Sequence, residues 1–122
     1  HQITFKEHSA WFLRKINDNN CKFFIGEKQG IPIGSIRFDI NEVGEAVISY
    51  LIDPAFQGRS LGQIILVKGI EKMLVEKELL TNLPKLILGL VMKQNIPSIK
   101  AFERLGFDRI DLTDNFKFVK GI

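Results

Sequence analysis

The 122 residues suffice for one hydrophobic core and are too few for two, so 1–122 is read as a single domain. Hydrophobic residues at 45% and charged residues at 25%, with ten Phe, exclude a disordered or fibrous chain, and a net charge of +3 scattered among acids excludes a nucleic-acid stripe. A lone cysteine, Cys21, excludes an intrachain disulfide, and with His1 and His8 as the only imidazoles no metal cluster can be assembled by spacing.

No apolar run reaches the roughly 18 residues of a membrane span, and the opening "HQITFKEH" lacks a signal-peptide core. The expected setting is therefore the reducing cytoplasm, with no membrane and no nucleic acid among the partners. The chain does not open on Met, which reads as an N-terminally truncated piece or part of a longer chain.

"TFKE", Thr4 to Glu7, has the form of a capping box, and Phe5, Phe12, Leu13 and Ile16 recur at helical spacing, which predicts a helix from about Phe5 to Asn17. "CKFFIGEK" and "IPIGSIRFDI" are strand-like runs joined by Gln29-Gly30, a hairpin signal. "NEVG" then turns into "EAVISYLI", so three strands form an antiparallel meander. Leu66, Ile70, Met73 and Leu74 place a helix over about Leu61 to Glu78. "KLILGLV" reads as a strand covered on both faces, parallel to "EAVISYLI" through a right-handed crossover. In "NIPSIKAFERLGF", Pro97 opens a helix and Gly106 stops it, and "FDRIDL" and "FKFVK" are two closing strands. The order gives an α/β domain with a mixed sheet.

The segment "IDPAFQGRSLGQIIL" runs from a strand through a tight turn into a helix, whose first backbone N–H groups are unpaired and carry partial positive charge. Such an end suits an anion. Gly58 and Gly62 allow close approach to the backbone, Ser60 is small and Arg59 adds a cation; an ordinary connecting loop is the plain alternative. There is no Lys-Ser/Thr after the second glycine and no G-x-G-x-x-G, so neither a P-loop nor a dinucleotide fold is supported.

Gln57 to Gly62 resembles the Q/R-x-x-G-x-G/A pyrophosphate loop of the GNAT acetyltransferase superfamily, and "NIPSIKAFERLGF" resembles its N-x-x-S/A-x-x-x-Y-x-x-x-G-F helix. The likeness covers about Phe23 to Phe107. It implies a GNAT-like fold, an antiparallel meander followed by a parallel strand pair splayed at the acyl-CoA site, flanked by helices. It also implies that an N-terminal strand and helix are missing. By the same resemblance acetyl-CoA is the co-substrate: Leu51 and Ile52 would contact pantetheine, the amides of Gln57, Gly58, Arg59, Ser60, Leu61 and Gly62 the pyrophosphate, and Asn95, Ser98 and Phe102 would complete the cofactor site. Two positions depart. Ser60 stands where the family usually has Gly, and Phe102 where it commonly has a Tyr that protonates the leaving thiolate, which Phe cannot do.

For the chemistry, Tyr50 shares a strand face with Ile52 near the expected thioester, the alternative being a half-buried sheet aromatic. Glu45 opens the same strand and could relay a proton, or simply be a solvated strand end. Asn95 could equally be an N-cap. The stretches "HSAWFLRKINDNNCKFFIGE", "GSIRFDI" and "AVISYLIDP" look most like the branch acting on nucleotide-linked amino sugars in bacterial surface-polysaccharide pathways. The acceptor expected is thus a small primary amine of that kind. The alternatives are a protein N-terminus, as in the ribosomal-protein branch, and an acyl-CoA-binding domain with weak catalysis. A homodimer is compatible with the sequence.

Overall fold

The structure, a computed structural model, describes residues 11–16, 21–58, 61–76 and 84–122. Its elements in order are β1 (Trp11–Ile16), β2 (Cys21–Lys28), β3 (Ile31–Ile40), β4 (Glu45–Ile52), α1 (Leu61–Glu76), β5 (Leu86–Met92), α2 (Ile96–Arg104), β6 (Asp108–Asp111) and β7 (Asn115–Gly121). The seven strands make one mixed sheet in the order β1-β2-β3-β4-β5-β7-β6. Among these pairs only β4 and β5 run parallel, joined by a crossover through α1; β5 and β7 meet antiparallel although α2 lies between them, because the chain leaves α2 along β6 and turns back into β7.

The meander holds at the expected residues. Gln29 and Gly30 both take positive φ, 54° and 78°, as a two-residue hairpin turn between β2 and β3 demands. The start of the chain differs. Trp11 to Ile16, expected as the second half of a helix, is an edge strand whose partners run from Trp11↔Lys28 to Ile16↔Phe23, and Thr4 to Ala10 lie outside the described residues. All six residues are in register with β2, whose pairing takes up the backbone groups on that side, whereas the helical spacing of Phe12, Leu13 and Ile16 would have placed these three on one helix face. The meander has four strands as a result.

Both helices pack on one face of the sheet. Ile36, Ile48, Ile87 and Phe118, facing the helices, meet Ile65, Leu66 and Met73 of α1 and Ile99 and Phe102 of α2 in one buried cluster. Two glycines permit this closeness: a Cβ on Gly69 would stand 2.7 Å from Cδ1 of Ile36, and one on Gly89 would stand 2.6 Å from Cζ of Phe102. The helix pair is thereby drawn over the junction of β4 and β5, where the sheet opens.

Candidate functional site

β4 and β5 pair only from Glu45↔Leu86 to Ile48↔Gly89, after which β4 continues to Ile52 alongside β3 and β5 continues to Met92 alongside β7. The two strands part, and the β4 backbone beyond Ile48 loses its partner on that side. Alternation decides which groups face the gap. Asp53 N–H donates to Ile33 O at 2.8 Å, so Asp53 and, two residues back, Leu51 turn their peptide groups to β3, and those of Tyr50 and Ile52 turn to the gap. Of the two strand-end residues expected at the cofactor, Ile52 turns its peptide groups to the gap and Leu51 turns its own to β3, while Leu51, 61% exposed, still lines the cleft that opens there.

Beyond β4 the chain makes a short 3-10 turn over Pro54–Phe56, capped by Asp53, whose carboxylate accepts from Ala55 N at 2.9 Å. Gln57 folds back so that its Nε2 donates to Ile52 O at 3.2 Å, and Gly58 takes φ 82°, which favours glycine. Arg59 and Ser60 lie outside the described residues. α1 then begins at Leu61, and the first-turn amides of Leu61, Gly62 and Gln63 have no partner within the helix.

α2 approaches the same gap by its N-terminus. Asn95 caps it, its Oδ1 accepting from Ser98 N at 3.3 Å, and Pro97 costs no helical hydrogen bond in the first turn. Between the two helix starts and β4 lies a cleft of about 840 Å³, lined by Tyr50, Ile52, Gly62, Asn95 and Ser98, with Leu51, Gln57, Gly58 and Leu61 on its wall. The Tyr50 hydroxyl is 2.6 Å from Ser98 Oγ. A Cβ on Gly62 would stand 3.2 Å from Cε2 of Tyr50, so the glycine makes room for the ring. Burial pushes the Tyr50 phenol above the ordinary tyrosine range, and the Ser98 hydrogen bond pulls it part of the way back.

Two expected site residues are elsewhere. Glu45 sits at the opposite end of β4, its carboxylate accepting from Asn41 Nδ2 at 2.8 Å, and does not reach the cleft because the strand runs away from it. Phe102 is in the core, 2% exposed, stacked on Phe118 at 5.1 Å and edge-on to Phe107 at 5.0 Å. Its ring points at the sheet through Gly89, because position 102 is on the face of α2 that carries Ile99 and Ala101 inward.

The acetyltransferase (GNAT) family matches the sequence over residues 1–107. The chain belongs to this family. At 28% identity it is similar to an uncharacterized N-acetyltransferase of Methanocaldococcus jannaschii, across 92% of this chain and 49% of the relative, so it spans about half the length of that curated protein. Among solved structures it is similar to the Campylobacter jejuni N-acetyltransferase PseH in complex with acetyl coenzyme A, at 22% identity and a TM-score of 0.67, across 85% of this chain and 70% of that one. A spermidine N-acetyltransferase from Vibrio cholerae gives 18% identity and a TM-score of 0.73, across 85% and 66% of the two chains. These likenesses bear on the fold, which is the GNAT fold.

The GNAT cleft holds two cations that the sequence reading passed over. Lys100 and Arg104 are the charged side chains on its lining among the described residues, and Arg104 Nη1 also donates to Gln63 Oε1 at 3.2 Å, tying α2 to α1. Their signal was present: four residues apart, they share a helix face with each other. It lacked meaning until α2 was known to lie beside the start of α1. No carboxylate lines the cleft among the described residues.

Proposed function

We propose that this GNAT domain transfers the acetyl group of acetyl-CoA directly to a primary amine, the acceptor being a nucleotide-linked amino sugar of surface-polysaccharide synthesis. The observation that carries the reading is the parting of β4 and β5 beyond Ile48 and Gly89 over a cleft bordered by two helix starts and two cations. Acetyl-CoA fits these residues by its chemistry. Its amide-bearing arm can pair with the turned-out peptide groups of Tyr50 and Ile52 and with Asn95. Its pyrophosphate suits the amides from Gln57 to Gly62, with Arg59 and Ser60 between them, and Lys100 and Arg104 favour its negative charge.

Direct transfer needs a neutral amine beside the thioester, donors for the oxyanion and an acid for the thiolate. Tyr50 brings a phenol hydroxyl, protonated at neutral pH, to the cleft as the candidate acid. Glu45, held by Asn41 far along β4, has no part in this reading. The amino sugar is chosen over other amines on the likeness of "HSAWFLRKINDNNCKFFIGE" and "AVISYLIDP" to that branch of the family.

Calorimetry with acetyl-CoA, followed by CoA release measured on nucleotide-linked amino sugars, polyamines and peptide N-termini, tests the reading. Binding together with release on an amino sugar is the expected result. No heat on titration removes the acetyl-CoA site, and binding without release on any amine makes the domain an acyl-CoA binder. Release confined to peptides moves the acceptor to a protein N-terminus.

A further inference from the structure

Tyr50 is the only tyrosine of the chain. It comes from β4, and Ser98 from the first turn of α2, so their 2.6 Å hydrogen bond joins the two walls of the cleft where the sheet opens. The ring is held on its edge by Gly62 and lies tilted against Phe102 at 6.1 Å between centroids. Phe102 itself offers no proton. Resting on the reading of this cleft as an acetyl-CoA site, we propose that Tyr50 and Ser98 act as one proton-donating pair, Tyr50 protonating the departing thiolate and Ser98 positioning it.

The roles follow from the hydrogen bond. When Ser98 O–H donates to the Tyr50 oxygen, the Tyr50 proton is left to point elsewhere, into the cleft. The acceptor nitrogen forms its bond to the carbonyl carbon, and the carbon–sulfur bond breaks. The sulfur takes the Tyr50 proton, and the proton shed by the nitrogen returns through water to the phenolate. Nothing is oxidised, and the net movement is one proton from nitrogen to sulfur. Ser98 donates to the oxygen that is briefly charged, and a hydrogen bond to the charged form favours it. The groups around this oxygen agree. β3 offers Ile36, α1 offers Gly62 and Gln63, and the charged side chains of the cleft among the described residues are Lys100 and Arg104 of α2, both cations. Burial raises the phenol and keeps it protonated at neutral pH, as an acid must be.

Because Tyr50 is the only tyrosine, growth with a fluorinated tyrosine changes this one side chain throughout the protein. The more acidic phenol should move the alkaline fall of kcat to lower pH by the same shift that its absorbance titration shows. Tyr50→Phe should lower kcat by about 100-fold or more, with the KM for acetyl-CoA changed less than about threefold and calorimetric binding retained. Ser98→Ala should lower kcat about tenfold, the worth of one hydrogen bond, and move the phenol titration upward, and Ser98→Thr should restore both. An unmoved alkaline limb with fluorotyrosine, or wild-type turnover by Tyr50→Phe, overturns the pair while leaving the acetyltransferase reading in place. A loss in Ser98→Ala with the phenol titration unmoved makes Ser98 structural and overturns its role. Wild-type protein that binds acetyl-CoA and turns over no amine overturns the transfer reading and the pair together.

Discussion

Phe102 is enclosed by Phe107, Phe118 and Tyr50, and the tip of its ring rests where Gly89 has no side chain. A hydroxyl added there would press on β5 and be buried without a partner. Phe102→Tyr, which the family motif alone would offer as a gain of catalytic acid, is therefore expected to leave kcat unchanged and to cost about 1–3 kcal/mol of stability. Urea melts beside steady-state rates check this, and a faster enzyme would mean that the new oxygen reaches the cleft. The motif was legible in sequence because it is a spacing along one helix. The direction of residue 102 was not, since it depends on Gly89, in another element. Tyr50 and Ser98 were likewise each visible as candidates, but they are 48 residues apart and no local pattern joins them. Glu45 and Tyr50 read as two candidates on one strand, and five residues of extended chain separate them by roughly 16 Å.

At the scale of elements, β2, β3 and β4 begin and end where their sequence says, since turn residues bound them and each pairs with the next in the chain. α2 was equally plain, with Asn95 and Pro97 at its start and Gly106, φ 82°, after its end. β1 was not. Its apolar residues fit a helix as well as a strand, and only its pairing with β2 decides between them. A similar contest, helix preference against packing, sets the outcome at Gly69. Alanine there would favour α1 by about 1 kcal/mol, but its Cβ would stand 2.7 and 2.8 Å from Cδ1 and Cγ2 of the fully buried Ile36. Overpacking of this kind costs about 1–3 kcal/mol, and Ile36 is enclosed by β2, β4 and α1. Gly69→Ala is thus expected to lower Tm, whereas the same change at an exposed helical glycine would raise it. A higher Tm would show that Ile36 can take another rotamer.

Over the whole molecule the small net charge of +3 conceals where the charge lies. Acid and base are mixed over the surface, as in the Arg37–Asp39 pair at 3.0 Å and the Arg109–Asp111 pair at 3.4 Å, but the cleft lining carries Lys100 and Arg104 with no described carboxylate. A polyanionic ligand should therefore act on global stability through a few residues. Acetyl-CoA at 100 times its Kd would add about 2.7 kcal/mol to unfolding, which in a domain of this size is a rise in Tm of roughly 10 °C. The rise should shrink with added salt, since the Debye length falls from about 10 Å at 0.1 M to about 3 Å at 1 M. Lys100→Glu combined with Arg104→Glu should remove most of it at the same ligand concentration. Both side chains are solvent-facing on α2 apart from the Gln63 contact, so the unliganded Tm should move little. Melting curves of the two proteins, with and without acetyl-CoA at low and high salt, separate the terms. An equal, salt-insensitive rise in the doubly reversed variant would mean that the phosphates are held by the backbone from Gln57 to Gly62 without help from α2.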